Sequence, residues 1–150
     1  MTRILFICTG NTCRSPMAEA ILKSRNLPGV EVKSAGIYAQ TGSAASENTK
    51  RVLAEYGIEF DTHQASMLNG ELVRWTSYIL TMTISHKAAV ISMFPDAAGK
   101  TFTLKEFAIG IENSDIVDPF GGPIERYRST YNELNEMISQ VTQRLQKDNS

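Results

Sequence analysis

The sequence of 150 residues has few cysteines, no excess of charge of one sign and no long apolar run. Its 15 basic and 16 acidic side chains leave a formal net charge of −1, so the chain has no basic surplus with which to bind nucleic acid. Its apolar runs are far shorter than the roughly 20 residues that span a bilayer. Neither nucleic acid nor a membrane is therefore an expected partner.

Histidine and cysteine are also scarce, which limits metal binding and disulfide formation. The chain has two cysteines, Cys8 and Cys13, and two histidines, His63 and His86, and no spacing among them is typical of a zinc site. No metal and no organic cofactor is expected. The N-terminal apolar run stops at Cys8 without a small-residue cleavage site, so it is interpreted as a strand and not as a signal peptide. The predicted location is the cytoplasm, where cysteines are more often catalytic or redox-active than structural.

Apolar segments of strand length alternate with amphipathic segments of helix length. Strands are predicted at residues 4–7, 30–34, 78–82 and 101–103, and helices at residues 45–56, 68–75, 85–93 and 123–146, after a first helix that starts at Pro16 with Ser15 as N-cap. The apolar stripe of the last helix indicates packing on the sheet, with a coiled coil as the alternative. The pattern predicts an α/β fold with a single domain over residues 1–150, in which helices flank a four-stranded parallel sheet in three layers, doubly wound and Rossmann-like.

The segment C-T-G-N-T-C-R-S, residues 8–15, lies between the first strand and the first helix, and we call it the Cys8 loop. Open α/β sheets bind ligands at this edge. Gly10 and Asn11 tolerate the left-handed backbone that turns several N–H groups towards one point. Arg14 adds a planar fork of donors suited to two oxygens of a tetrahedral anion. The loop is therefore predicted to bind a phosphate-like group, and a nucleotide-type P-loop is not expected because G-x-x-x-x-G-K-[ST] is absent.

Cys8 begins this loop and is the candidate nucleophile. The converging donors would stabilise its thiolate, and the hydroxyl of Ser15 is able to donate one more hydrogen bond to the sulfur. A thiolate in that position attacks the bound phosphorus. A buried structural cysteine is the alternative, but it does not account for the Gly, Asn, Arg and Ser residues around it.

The pattern C-x5-R-S is the signature loop of cysteine-dependent phosphatases. The longer string C-T-G-N-T-C-R-S-P-M-A-E after an N-terminal strand resembles the low-molecular-weight protein tyrosine phosphatase family, and the resemblance covers essentially the whole chain. It implies hydrolysis of phosphorylated proteins through a phosphocysteine at Cys8, with Arg14 binding the phosphate. The resemblance also implies that the rest of the loop binds or supports the phosphate, namely Thr9, Gly10, Asn11, Thr12, Cys13 and Ser15.

The family carries an Asp-Pro pair late in the chain, and this sequence has D-P-F at residues 118–120. The resemblance implies that Asp118 protonates the leaving group and then deprotonates water. Asp115 is an alternative for that role. Phe120 is expected to form an aromatic wall beside the substrate, and the alternative is an aromatic residue that only fixes the loop.

Three further positions match the family. Ser34 is expected to hydrogen-bond Asn11, and His63 to belong to the same supporting network. Cys13 corresponds to a cysteine that can pair with the nucleophile. A reversible Cys8–Cys13 disulfide is therefore expected to inactivate the enzyme and to protect Cys8 from further oxidation. The alternative for Cys13 is a small buried side chain without a redox role.

Thr12 occupies a loop position at which tyrosine-specific members carry a bulkier aliphatic residue. The C-T-G-N-T-C-R-S form resembles a bacterial branch that dephosphorylates arginine in proteins. A threonine offers a hydroxyl and little apolar surface, so it fits a polar guanidinium better than it fits a phenyl ring. Phosphoarginine is the expected substrate, with phosphotyrosine as the alternative. A distant alternative is an arsenate reductase, but that enzyme would need further redox cysteines late in the chain, and this sequence has none after Cys13. A second distant alternative is a non-catalytic module that only binds phosphorylated groups. A monomer is expected, although the sequence leaves the oligomeric state open.

Overall fold

Four parallel strands form the sheet at the centre of the molecule. The computed structural model describes residues 1–148, so residues 149 and 150 of the predicted domain lie outside the described part. The strands are β1 (Thr2–Cys8), β2 (Val30–Gly36), β3 (Tyr78–Thr81) and β4 (Thr101–Thr103). They lie in the order β2-β1-β3-β4, and every neighbouring pair is parallel. The predicted four-stranded parallel sheet is confirmed.

Helices cover both faces of this sheet. They are α1 (Arg14–Ser24), α2 (Glu47–Glu55), α3 (Gly70–Trp75), α4 (Ile84–Met93), α5 (Leu104–Ile109) and α6 (Ile124–Asp148), with a 3-10 helix at Pro95–Lys100. One apolar core contains side chains of α1, α2, α5 and α6, and a second contains side chains of α3, α4 and the 3-10 helix. The fold is therefore a three-layer, doubly wound α/β domain, as the sequence predicts.

The position of β1 explains its sequence. Ile4 and Phe6 belong to one core, whereas Leu5 and Ile7 belong to the other, and all four are fully buried. A strand with helices on both faces needs apolar residues at every position, because successive side chains point to opposite faces. Burial alternates in the first part of β2, which lies at the edge of the sheet.

The start of α1 differs from the prediction. The helix begins at Arg14, Cys13 occupies the N-cap position without a side-chain cap, and Ser15 is already helical. Ser15 does not cap because its hydroxyl hydrogen-bonds the side chains of Cys8 and Asn11. Pro16 is tolerated in this first turn, where its missing N–H has no helical partner to lose.

Helix α5 was not predicted, although the sequence contains its start signal. Thr103 and Glu106 form a capping box, in which the Thr103 side chain accepts from the Glu106 amide and the Glu106 carboxylate accepts from the Thr103 amide. The predicted helix over residues 123–146 is confirmed as α6, and its apolar stripe is buried against the sheet and its helices. A coiled coil is thereby excluded as the explanation of that stripe. No helix within residues 1–148 is long and apolar enough to cross a bilayer.

Candidate active site

The first part of the Cys8 loop is fixed by the segment that follows β2. The carbonyl of Cys8 accepts a hydrogen bond from the Ile37 amide at 3.0 Å, and the carbonyl of Thr9 accepts one from the Tyr38 amide at 2.9 Å. This close approach requires a glycine at position 36, because a Cβ there would lie 2.5 Å from the Thr9 carbonyl oxygen. The S-A-G end of β2 thus makes room for the loop.

The second part of the loop is fixed by two other segments. The carbonyl of Asn11 accepts from Nε2 of His63 at 2.8 Å, and the carbonyl of Thr12 accepts from the Ser46 amide at 2.9 Å. In a trans peptide the N–H points opposite to the C=O of the preceding residue. Since these four carbonyls point away from the centre of the loop, the amides that follow them point inward, to its centre. The amides turned inward in this way are those of Thr9, Gly10, Thr12 and Cys13.

The nucleophile candidate lies at the base of these amides. Cys8 is 3% exposed, and its Sγ lies 2.9 Å from Oγ of Ser15. Asn11 Nδ2 donates to the same Oγ at 2.8 Å, so the Ser15 hydroxyl hydrogen is left to donate. Its two acceptors are the Cys8 sulfur and the Ala35 carbonyl at 3.5 Å, and the shorter contact is the one to the sulfur. A hydroxyl that donates to sulfur stabilises the thiolate over the thiol, which is what nucleophilic attack needs.

Asn11 holds the turn of the loop. It is fully buried, and its backbone is left-handed with φ 55°, a conformation that asparagine tolerates better than most residues. Its Nδ2 also donates to Oγ of Ser34 at 2.9 Å, and its Oδ1 accepts from the Ser66 amide at 2.9 Å. The contacts expected for Ser34 and His63 are thus both present, whereas nothing in the sequence pointed to Ser66.

The Ser34 hydroxyl continues the network away from the loop. It donates to Oε1 of Glu19, which is 7% exposed on α1 and pairs through Oε2 with Lys23 Nζ at 2.6 Å. A buried carboxylate that is both hydrogen-bonded and paired is a stable end point for such a chain. Glu19 was not singled out in the sequence, because a glutamate on a helix is ordinarily a surface residue.

Arg14 joins the loop to the segment before α6. It is 5% exposed, one of its terminal nitrogens donates to the Ile116 carbonyl at 2.9 Å, and the other lies 3.5 Å from Oδ2 of Asp118. The Asp118 side chain is 52% exposed, and its Oδ1 accepts from the Phe120 amide at 3.0 Å. Asp118 is therefore oriented at the cavity but open to solvent, as a proton donor to a bound ligand must be.

The competing carboxylate has a different place. Asp115 Oδ1 accepts from the amide of Ile84 at 2.8 Å, in the first turn of α4. This contact satisfies a helix N-terminal N–H. The geometry therefore favours Asp118 over Asp115 as the acid.

These residues surround a cavity of about 250 Å³ at the carboxyl end of β1. Phe120 is 75% exposed and contributes an aromatic wall. The cavity is lined by Cys8, Thr9, Gly10, Thr12, Cys13, Arg14, Asp118 and Phe120. A cavity of this volume is large enough for a tetrahedral anion together with the end of the side chain that carries it.

The model of the low-molecular-weight phosphotyrosine protein phosphatase family matches residues 3–150. The chain belongs to this family. A protein-arginine-phosphatase of Geobacillus stearothermophilus is 53% identical over 146 residues, which are 97% of each chain. The solved structure of the arginine phosphatase YwlE from that organism has a TM-score of 0.96 and 52% identity, with 99% of this chain and 95% of that chain covered. A further YwlE structure, a cysteine-to-serine variant with a phosphorylated active-site serine, has a TM-score of 0.94 and 41% identity, with 98% and 97% covered.

The second cysteine of the phosphatase, Cys13, is buried within the Cys8 loop, and both cysteines are reduced. Cys13 is 6% exposed, and its Sγ lies 3.6 Å from both Ser46 Oγ and Tyr127 Oη. Burial is the main cause that raises the pKa of Tyr127, and the hydrogen bond with Cys13 is the next. The Tyr127 hydroxyl is therefore neutral near pH 7. Oxidative pairing with Cys8 would have to release Cys13 from these two contacts.

One residue of the phosphatase site was considered in the sequence only as a metal ligand. His86, on α4, is 8% exposed, and its Nε2 lies 2.8 Å from Oγ1 of Thr9. Burial, and after it the nearby Arg14, lowers the pKa of His86 to about 4. Within residues 1–148 no cluster of three or more His, Cys, Asp or Glu side chains is placed to hold a metal. His86 instead belongs to the support of the Cys8 loop.

Proposed function

We propose that this phosphatase hydrolyses phosphoarginine in proteins through a phosphocysteine on Cys8. The observation that carries the proposal is the chain of hydrogen bonds from Asn11 through Ser15 to the Cys8 sulfur, at the base of a cavity that also contains Arg14 and Asp118. A nucleophile, an anion-binding fork and an acid then meet in one cavity, which is what phosphoryl transfer requires.

In the first step the Cys8 thiolate attacks phosphorus and the bond from phosphorus to the guanidinium nitrogen breaks. Asp118 protonates that nitrogen, so arginine leaves as its guanidinium cation and Asp118 is left as a carboxylate. Arg14 and the inward amides of the Cys8 loop bind the equatorial oxygens as charge develops on them. The product of this step is a thiophosphate ester of Cys8.

In the second step the Asp118 carboxylate takes a proton from water. The resulting hydroxide attacks phosphorus, the phosphorus–sulfur bond breaks and inorganic phosphate leaves. The Ser15 hydroxyl stabilises the departing thiolate of Cys8, which returns the enzyme to its starting state.

Two side chains of the cavity support arginine as the substrate. Thr12 presents a hydroxyl where an aliphatic side chain would pack on a phenyl ring, and Phe120 offers a flat face on which a guanidinium stacks well. Asp118 is half exposed and contacts Arg14 at 3.5 Å and the Phe120 amide at 3.0 Å, and its remaining lone pairs are free to hydrogen-bond a cationic leaving group. The relatives named as arginine phosphatases support the same choice, while the family's name keeps phosphotyrosine as the second candidate.

A redox switch is part of the proposal. Peroxide oxidises the Cys8 thiolate to a sulfenic acid, the Cys13 thiol attacks that sulfur, and water leaves as the disulfide forms. A cellular dithiol then reduces the disulfide and restores activity. Support comes from the presence of both reduced thiols in the lining of one cavity.

The remaining expectations concern the whole protein. We expect a single phosphatase domain over residues 1–150, a monomer, and a cytoplasmic location in which phosphorylated proteins and reducing thiols are both available. These stay predictions. Size-exclusion chromatography with light scattering would test the monomer.

The deciding experiment compares phosphate release from matched phosphoarginine and phosphotyrosine peptides, with Cys8→Ser as the inactive control. We expect preference for phosphoarginine, loss of turnover in Cys8→Ser, and a shift towards phosphotyrosine in Thr12→Ile. Preference for phosphotyrosine in the unmodified enzyme would overturn the substrate. Turnover that survives Cys8→Ser would overturn the mechanism.

A further inference from the structure

His86 connects the phosphate cavity to α4. Its Nε2 lies 2.8 Å from Oγ1 of Thr9, which is the first loop residue after the nucleophile and lines the cavity. The His86 backbone is fixed in the first turn of α4, where its amide donates to Oγ1 of Thr83 at 3.1 Å. The imidazole thus reaches the loop from a rigid element.

The direction of this hydrogen bond follows from the other ring nitrogen. Nδ1 of His86 is buried and has no hydrogen-bond partner within residues 1–148. A buried N–H without an acceptor is rarer and less favourable than a bare lone pair, so we assign the hydrogen to Nε2. His86 therefore donates to Thr9, and the Thr9 oxygen accepts.

The hydroxyl hydrogen of Thr9 is then left without a protein partner. Thr9 Oγ1 makes no hydrogen bond other than the one with His86 Nε2 in the described part of the chain. Because Thr9 lines the cavity, its O–H is available to an oxygen of a bound anion. The Thr9 oxygen already accepts the hydrogen bond from His86. The hydroxyl hydrogen of Thr9 is therefore the part of the group that is left to bond the anion.

We infer that His86 is a positioning residue that acts through Thr9 and gives the Cys8 loop a side-chain hydroxyl donor for phosphate. The inference rests on the proposed phosphate chemistry of the loop, but it is independent of whether phosphoarginine or phosphotyrosine is the substrate. Thr9 touches the ligand, and His86 sets the direction in which Thr9 donates.

The charged groups around His86 agree with a neutral donor. Arg14, on α1, opposes an imidazolium, whereas Asp115 and Asp118, in the segment before α6, favour one. Burial and Arg14 prevail, so the ring is neutral near pH 7. An imidazolium would also place a second N–H on the buried Nδ1, which has no acceptor.

The test measures competitive inhibition by inorganic phosphate, alongside kcat and KM. Thr9→Val and His86→Phe should each raise the phosphate inhibition constant by about tenfold, as expected for one hydrogen bond to a charged ligand. The double variant should show no further rise, because the two residues act as one unit. His86→Gln, which keeps an N–H donor close to the Nε2 position, should recover most of the affinity.

Three results would overturn the inference. The first is additive losses in the double variant. The second is an unchanged phosphate constant in a folded His86→Phe variant, which would mean that the residue only packs. The third comes from the unmodified protein: nitrogen-15 NMR of the His86 ring should show the hydrogen on Nε2 at pH 7, and a hydrogen on Nδ1 would reverse the assigned direction.

Failure of the inference can be told from failure of the proposed function. If the unmodified protein binds phosphate and neither Thr9→Val nor His86→Phe changes that binding, the inference alone is wrong. If the unmodified protein does not bind phosphate at all, the proposed chemistry of the loop fails and the inference fails with it.

Discussion

Replacement of Asn11 by alanine should separate the hydrogen-bonding role of this residue from its backbone role. The side chain makes three hydrogen bonds inside the protein, to Ser15, Ser34 and the Ser66 amide. The backbone is left-handed, with φ 55°. Alanine removes all three hydrogen bonds and is strained in that conformation.

The magnitude follows from these two contributions. Three net hydrogen bonds at about 1 kcal/mol each amount to about 3 kcal/mol. A left-handed alanine costs about 2 kcal/mol more. The free energy of unfolding of Asn11→Ala should therefore be about 5 kcal/mol lower, a large part of the stability of a domain of this size.

Asn113 provides a matched control within the same chain. It is also left-handed, with φ 59°, but it is exposed. Asn113→Ala should therefore show only the backbone contribution of about 2 kcal/mol. The difference of about 3 kcal/mol between the two variants measures the hydrogen bonds of Asn11.

Urea unfolding of the reduced protein is the assay, followed by circular dichroism and fluorescence together. The value of kcat/KM should fall in Asn11→Ala, because Ser15 loses the donor that directs its own hydrogen to Cys8. Asn113→Ala should keep normal kinetics. Equal loss of stability in the two variants would refute the reasoning, since the buried network would then contribute nothing.

Three further predictions concern the rest of the site. Gly36→Ala should displace the Thr9 carbonyl and lower both stability, by about 2 kcal/mol, and activity, whereas Gly99→Ala, whose added Cβ meets nothing within 4 Å, should be silent in both assays. Asp118→Asn should lower kcat by about a hundredfold or more, because the proton donor is lost. Inorganic phosphate should inhibit this variant at least as strongly as it inhibits the unmodified enzyme, because a negative charge beside Arg14 is removed; weaker phosphate binding would contradict this. Because the pKa of His86 falls from 6.5 to about 4 on folding, the unfolded chain binds the proton first as pH falls. Stability should therefore drop by about 2 kcal/mol between pH 6.5 and 4, after allowance for solvent screening, and urea titrations should find a shallower decline in His86→Gln.

The parts of the fold that were predictable are those with a local signal. The apolar run of β1 identifies a central strand, because a strand buried on both faces is apolar at every position. The apolar stripe of α6 identifies a covering helix, because a helix buried on one face is apolar only at steps of three and four residues. Helix α5 was missed although T-L-K-E at residues 103–106 is a capping box, since six residues carry too little periodicity to be recognised. The N-cap of α1 was misplaced because Ser15 has a functional partner, and local capping rules do not include that competition.

The candidate site divides in the same way. The loop, Asp118 and Phe120 are readable because they lie in short motifs, and Ser34 and His63 follow from the family resemblance. Other supporting contacts join positions far apart in the chain. Ser66 lies 55 positions from Asn11, and His86 lies 77 positions from Thr9. No composition or spacing rule links such pairs, because only the folded topology brings them together.

The outward carbonyls of the Cys8 loop have a consequence for protein engineering. Their donors come from the segment that follows β2, the N-cap of α2 and the segment around His63. A transplant of residues 8–15 into another strand–loop–helix scaffold would carry the thiol and the arginine but leave behind the groups that turn the amides inward. By contrast, Asp118 and Phe120 lie on an exposed segment with few contacts. New substrate preferences should therefore be easier to select in that segment than in the loop that performs the chemistry.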